Sequence, residues 1–276
     1  MSFKKLGIIA GSGEYPRVVA ARAKEEGFDV YCVALSNDFI DDLKEVSSEI
    51  VYLSPGELGK IKDFFIKHRL KRIALTGKIE KRIMYNTVPD TEALRLLNKI
   101  SDHRDNSILQ GICEYFLDYR IEVCDSTLFV KDLIIKEGLI AGRALDSTDW
   151  DEIAFGYRMA KGIAALDIGQ TVVVKNRAVC ASESIEGTDE TIRRGARYGG
   201  CGVYIIKVSK PDQDMRFDLP VIGKTTISLA IENKASCIAI ESLKSLFFQR
   251  EDSIDLANKH KLSIIGLPYN WDYKWR

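Results

Sequence analysis

The stretch Leu6-Gly7-Ile8-Ile9-Ala10-Gly11-Ser12-Gly13-Glu14-Tyr15-Pro16 decides the fold. Its apolar start, Leu6 to Ala10, reads as a strand, and Gly11-Ser12-Gly13 reads as a turn. Tyr15 to Glu26 reads as a helix with Pro16 in its first turn, where a missing backbone N–H is tolerated. Gly27 ends that helix. The same alternation then runs outward along the chain. Val30 to Leu35 and Ile50 to Leu53 read as strands, Gly56 to His68 as a helix and Arg72 to Thr76 as a strand. Thr91 to Lys99 and Ser107 to Tyr119 read as helices, and Ile121 to Cys124 as a final strand. Short apolar runs alternating with helical stretches build a parallel sheet covered by helices. Residues 1–132 are therefore expected to form a Rossmann-like domain that binds a nucleotide or a phosphate.

Residues 133–147 hold Gly138 and Gly142 and no sustained period, which suits a linker. Beyond it, Asp149 to Ala165 reads as a helix, and Thr171 to Lys175 with Ala178 to Glu183 as a β-hairpin closed at Asn176-Arg177. Glu190 to Arg197 is helical, Val203 to Val208 a strand, and Lys210 to Gly223 a polar loop with two prolines. Thr225 to Asn233, Cys237 to Ile240, Ile254 to His260 and Ser263 to Gly266 continue as helix, strand, helix and strand. Residues 148–276 are thus expected to form a second, mixed α/β domain, and no repeat relates the two halves.

At 276 residues, 46% apolar and 29% charged, the composition is that of a folded chain of about two domains. Forty basic and forty acidic residues cancel, so no bulk attraction draws the chain onto nucleic acid, and no nucleic-acid partner is expected. The apolar run after Lys4-Lys5 is too short for a signal-peptide core, and no run approaches the ~18 residues of a membrane helix. A cytoplasmic location is expected. Six scattered cysteines, with no C-x-x-C pair, read as reduced core residues. Only three histidines occur, His68, His103 and His260, in no paired motif, which argues against zinc hydrolases and histidine-rich two-metal phosphoesterases. No G-x-S-x-G elbow presents a serine nucleophile. If a metal acts, its ligands are carboxylates, which favours Mg²⁺.

Three segments carry chemistry. Gly11-Ser12-Gly13, between a strand and a helix, stands where backbone N–H groups receive an anionic phosphate, although a plain turn has the same residues. Pro16 occupies the place of the third glycine of a dinucleotide fingerprint, and no acid ends the second strand, although Asp38 is near; both count against NAD. Glu186-Gly187-Thr188-Asp189 leaves a strand and precedes a helix with Arg193, Arg194 and Arg197. Asp189 is there either an N-cap or a ligand for a metal or a substrate hydroxyl beside phosphate-pairing arginines. The third segment, Lys210 to Gly223, offers Asp212, Asp214 and Asp218 with Lys210 and Arg216. A solvated loop is the ordinary reading of such charges. The apolar Leu219 to Ile222 that follows should anchor it, and alternating acids and bases suit metal-assisted phosphoryl chemistry.

These pieces together resemble the LpxI type of UDP-2,3-diacylglucosamine pyrophosphatase. The matching stretches are Gly7 to Gly13, Asp167-Ile168-Gly169-Gln170, Glu186-Gly187-Thr188-Asp189, and Lys210-Pro211 through Asp218-Leu219-Pro220-Val221-Ile222-Gly223, in the family's order over nearly the whole chain. The resemblance implies Mg²⁺-dependent hydrolysis of UDP-2,3-diacylglucosamine to UMP and 2,3-diacylglucosamine 1-phosphate, a step of lipid A synthesis. It implies catalytic roles for Asp218, Asp189 and Arg216, and metal ligation by Asp218, Asp189 and Asp105. Substrate contacts fall on Gly11, Ser12, Gly13, Glu14, Gly187, Thr188, Lys210 and Arg194. The family's paired Asp-Asp is Asp105-Asn106 here, which leaves the second carboxylate without a counterpart, and Glu14-Tyr15 replace its small or apolar residues. The acyl chains call for an apolar cavity in the C-terminal domain and for transient contact with the cytoplasmic face of the inner membrane. A homodimer stays open. The competing readings are a non-catalytic nucleotide- or lipid-binding protein and a nicotinamide-linked oxidoreductase.

Overall fold

The computed structural model describes residues 4–36, 40–78, 87–100, 105–217 and 219–272. Asp38, His103, Asp218 and the side chain of Asp105 lie outside the described residues. The chain divides into two compact units: Met1–Lys131 with Asp214–Asp218, and Asp132–Gln213 with Leu219–Arg276.

The first unit runs β1 (Lys4–Ala10), α1 (Tyr15–Glu25), β2 (Phe28–Ala34), α2 (Ile40–Val46), β3 (Glu49–Tyr52), α3 (Leu58–Lys67), β4 (Arg72–Thr76), α4 (Thr91–Lys99), α5 (Asp105–Asp118) and β5 (Glu122–Val123). Its strands pair in parallel in the order β3-β2-β1-β4-β5. The expected parallel α/β sheet is therefore present, and β1 lies at its centre because Leu6, Ile8, Ile9 and Ala10 are all buried. Ile9, Val33, Phe65, Ile73 and Phe116 belong to one apolar core. The helix α2 has no counterpart in the sequence reading; in its seven residues only Leu43 is buried, so it shows almost no apolar stripe.

The second unit runs β6 (Gly138–Ala141), α6 (Ser147–Ala165), β7 (Thr171–Lys175), β8 (Ala178–Ser182), α7 (Thr188–Gly199), β9 (Tyr204–Lys207), β10 (Val221–Ile222), α8 (Lys224–Glu232), β11 (Cys237–Glu241), β12 (Leu246–Phe247), α9 (Arg250–Lys259) and β13 (Ser263–Leu267). Six of these strands form one mixed sheet in the order β6-β13-β11-β9-β7-β8. The hairpin forms where expected, and both turn residues, Asn176 and Arg177, have positive φ, the geometry that matches strand twist. The Glu152 carboxylate on α6 accepts the Arg177 N–H at 3.0 Å and so ties the turn to the helix.

Two details differ from the sequence reading. The stretch 133–147 holds β6, an edge strand antiparallel to β13; four residues bracketed by glycines give too short a run to show a period. The loop after Lys210 contains β10, which pairs with β12. All six cysteines are free, and Cys32, Cys113 and Cys237 are buried, as core thiols should be. Burial pushes the Cys32 thiol up to about 12 and the Cys113 thiol up to about 11, far from thiolate chemistry. No helix among the described residues is long and apolar enough to cross a membrane.

Candidate active site

Strands β8, β9, β11 and β13 run in one direction and β7 runs against them. Their carboxyl ends and the start of β7 therefore share one edge of the sheet, the edge at which open α/β sheets take their ligands. Three of the four family-matching stretches arrive there. Asp167 to Gln170 enters β7, Glu186 to Asp189 leaves β8, and Lys210 follows β9.

Between β8 and α7 the backbone turns at Gly187, with φ 83° and ψ 176°, a region open in practice only to glycine. Gly187 is the N-cap and brings no capping side chain, so Asp189 is not the cap. Asp189 stands instead in the first turn, where a carboxylate favours the helix dipole, and no described residue pairs with it. Gly187→Ala is expected to cost about 1–3 kcal/mol through backbone strain. Chemical denaturation of the purified variant measures that cost, and a loss below a few tenths would show that the turn tolerates a side chain.

A chain of polar contacts runs beneath that turn. Lys207 Nζ donates to Thr188 Oγ1 at 2.6 Å, and Thr188 Oγ1 donates to Glu183 Oε1 at 2.9 Å. The Gln170 N–H donates to Glu183 Oε2 at 3.2 Å. Burial alone would raise the Glu183 carboxyl, but the Lys207 ammonium and these hydrogen bonds outweigh it and hold the group below the usual carboxylate range.

At the end of β11, Glu241 is completely buried and saturated with donors. It accepts from Tyr157 Oη at 2.7 Å, from the Ser209 N–H and hydroxyl at 2.9 and 2.5 Å, and from the Asn270 N–H at 3.0 Å. Lys161 Nζ lies 3.1 Å from both carboxylate oxygens. Burial again opposes ionisation, yet the donors from Ser209, Tyr157 and Asn270 and the Lys161 charge keep the carboxyl below its ordinary value. Glu241 thereby fixes Ser209, the residue before Lys210. The tail closes the same corner: Tyr269 Oη donates to the Pro211 carbonyl at 3.0 Å, and Trp271 packs on Tyr157.

Three of the cations expected to meet phosphate, Lys210, Arg194 and Arg216, are already matched by acids. Lys210, buried, lies 2.8 Å from Asp167. Arg194 is ion-paired with Glu186 and donates to the Ser182 carbonyl at 2.6 Å. Arg216, in the first unit, clasps Asp214 with its closest contact at 2.6 Å and donates to Gln110 on α5 at 2.9 Å. Around it, Phe217 joins the first unit's core, and Ser126 binds the Met215 carbonyl through its N–H and its hydroxyl. On the other side of Asp218 in the sequence, the Leu246 N–H donates to the Pro220 carbonyl at 2.9 Å.

In the first unit the glycine turn lies between β1 and α1, beside the loop after β4. The Gly11 N–H donates to the Thr76 carbonyl at 2.8 Å, and Ser12 bonds the Lys78 carbonyl through N–H and hydroxyl at 2.8 and 2.9 Å. Those two amides, offered to a phosphate in the sequence reading, are thus engaged within the protein. A Cβ on Gly11 would fall 2.6 Å from the Lys78 carbonyl oxygen, so the glycine serves this close approach of two backbone segments. Glu14 is the N-cap of α1 and gives it no side-chain cap.

Among the described residues no group of three or more His, Cys, Asp or Glu side chains gathers as a metal site. The acids assigned to Mg²⁺, Asp105, Asp189 and Asp218, are hard oxygen donors of the kind that ion takes. Sequence reasoning missed Glu183, Lys207 and Glu241. The signal for two of them is a charged residue closing a buried apolar strand, as in Tyr204-Ile205-Ile206-Lys207 and Cys237-Ile238-Ala239-Ile240-Glu241.

Fold and site define a two-unit α/β protein with its polar residues collected at the carboxyl edge of a mixed sheet. Residues 5–133 match the LpxI N-terminal domain and residues 136–265 the LpxI C-terminal domain. The chain belongs to the LpxI family. It is 27% identical to the UDP-2,3-diacylglucosamine pyrophosphatase LpxI of Caulobacter vibrioides, over 96% of this chain and 98% of that protein. Among solved structures, an N5-carboxyaminoimidazole ribonucleotide synthetase in complex with ADP is 16% identical, over 64% of this chain and 34% of that one, with a TM-score of 0.28. The Staphylococcus aureus enzyme complexed with ADP is also 16% identical, over 63% and 38%, with a TM-score of 0.26. The chain spans little more than a third of those synthetases, and nothing about it follows from them.

Proposed function

We propose that this protein is a hydrolase that splits the pyrophosphate bond of UDP-2,3-diacylglucosamine into UMP and 2,3-diacylglucosamine 1-phosphate in lipid A synthesis. The observation that carries the reading is the pair of LpxI domain matches running along the chain, joined to a relative of that activity aligned over almost its full length. The gathering of the Asp167, Glu186 and Lys210 stretches at one sheet edge supports it, since these lie far apart in the sequence.

In this reaction water adds to one phosphorus, the bridging P–O bond breaks, and the departing phosphate leaves as a monoester. Asp218, with Asp189, takes the proton of the attacking water. Asp214 orients the Arg216 guanidinium by accepting from Nε at Oδ1 and from Nη2 at Oδ2, so that its charge is presented in a fixed direction. Glu241 and Lys161 hold Ser209, and with it the start of the Lys210 segment. Mg²⁺, held by carboxylates, supplies charge neutralisation on the diphosphate when bound. The substrate's acyl chains bring the protein to the cytoplasmic face of the inner membrane.

The test is product analysis by mass spectrometry after incubating purified protein with UDP-2,3-diacylglucosamine, with Mg²⁺ and with excess EDTA. UMP and the sugar 1-phosphate should appear in equal amounts with Mg²⁺ and vanish with EDTA. Undiminished turnover in EDTA would remove the metal from the proposal while leaving the hydrolysis in place.

A further inference from the structure

We infer that Lys207, a residue outside every family-matching stretch, is the buried cation that grips a phosphate of the substrate's diphosphate. The inference rests on the pyrophosphatase reading and extends it by one substrate-binding residue.

Two lysines of the second unit are buried, Lys207 and Lys210. Lys210 is neutralised by Asp167 at 2.8 Å, whereas the Lys207 ammonium touches only the Thr188 hydroxyl among the described residues. An ammonium carries three N–H donors, so two of them lack an acceptor among the described residues. The ionised Glu183 carboxylate offsets the Lys207 charge through space without filling those two donors, and a buried donor left unfilled is costly unless a partner arrives. Glu183, the nearest acid of this chain of contacts, is linked to Lys207 by hydrogen bonds only through Thr188. Thr188 is the first residue of α7, and Gly187 before it leaves the helix start without a side-chain cap. The backbone N–H groups of Thr188, Asp189 and Glu190 are then the free donors every helix start presents. They stand next to an ammonium whose own donors are unfilled. A phosphate oxygen satisfies both sets at once. Lys210, Arg194 and Arg216 each meet an acid first, and Arg193 and Arg197 are exposed on α7.

The experiment compares wild type with Lys207→Met, which keeps the apolar stem and removes the charge, and with Lys207→Arg, which keeps the charge. Steady-state UMP release and calorimetric binding of inorganic pyrophosphate are measured for each, with melting temperature as the check on folding. Lys207→Met should lose at least tenfold in kcat/KM, about 1.4 kcal/mol, and lose pyrophosphate binding at an unchanged melting temperature, while Lys207→Arg recovers part of both. Activity and pyrophosphate affinity within threefold of wild type in Lys207→Met would overturn the inference and leave the pyrophosphatase reading intact. If Lys207→Met melts early, Thr188→Val, which removes the hydroxyl shared by the ammonium and Glu183 and leaves both charges in place, takes its place, with the same losses expected and wild-type values again overturning the inference. If folded wild type releases no UMP, the pyrophosphatase reading fails, and the pyrophosphate titration decides Lys207 by itself: binding lost in Lys207→Met supports the anion site, and equal binding overturns it.

Discussion

Asp218→Ala is expected to lower UMP release from UDP-2,3-diacylglucosamine by a hundredfold or more, about 2.7 kcal/mol of transition-state stabilisation. In the sequence Asp218 lies between a buried Phe217 and the strand Val221–Ile222. A carboxylate that takes the proton of the attacking water acts in the chemical step, so its removal should act on kcat more than on KM. Asp218→Asn keeps the shape and removes the charge. It should be nearly as inactive as the alanine variant, because the task assigned to the group is to accept a proton. Steady-state kinetics of both variants, with circular dichroism to establish folding, make the comparison. An asparagine variant within a few-fold of wild type would rule out proton transfer by this residue.

Glu241→Ala should destabilise the second unit by about 3–5 kcal/mol, the cost of breaking a buried ion pair from one side. The Ser209 N–H, the Asn270 N–H, the Tyr157 hydroxyl and the Lys161 ammonium all lose their acceptor together. Glu241→Gln keeps an acceptor oxygen and should lose less. The melting temperature of the alanine variant should fall by on the order of 10 °C, and a fall under 2 °C would show that the buried carboxylate is not a support. The pH dependence has a definite sign. Because the folded protein holds Glu241 below its ordinary value of about 4.3, its contribution is complete above that value. It is lost as pH falls through the depressed folded value. Glu183 acts in the same direction. Acid unfolding of wild type should therefore be steeper below about pH 4.3 than that of Glu241→Gln, which carries no titrating group there.

Local features were legible in the sequence because each is written within a few adjacent residues. The strand Leu6 to Ala10, the glycine turn and the helix from Tyr15 appear where their residues place them, and the hairpin closes at Asn176-Arg177. What the sequence hid depends on distance along the chain. Tyr157 meets Glu241 across 84 positions, so nothing local marks either residue. Lys210 and Arg194 look like free phosphate ligands in one dimension, and only the fold sets Asp167 and Glu186 against them. Lys207 looks like the polar end of a strand until burial and a single hydroxyl contact among the described residues single it out. The helix α2 and the strand β6 were missed for the opposite reason, being too short and too exposed to show a period. The family-matching motifs were legible as spacing, and their arrival at one sheet edge became visible only in the β7-β8-β9-β11 order.

The central claim is that the chain turns over a lipid-linked nucleotide diphosphate, and release of UMP from UDP-2,3-diacylglucosamine by purified wild-type protein with Mg²⁺ tests it most directly. The account predicts catalytic, linear UMP release that scales with enzyme concentration and falls by a hundredfold or more in Asp218→Ala. Folded wild-type protein that binds the substrate and releases no UMP would contradict it.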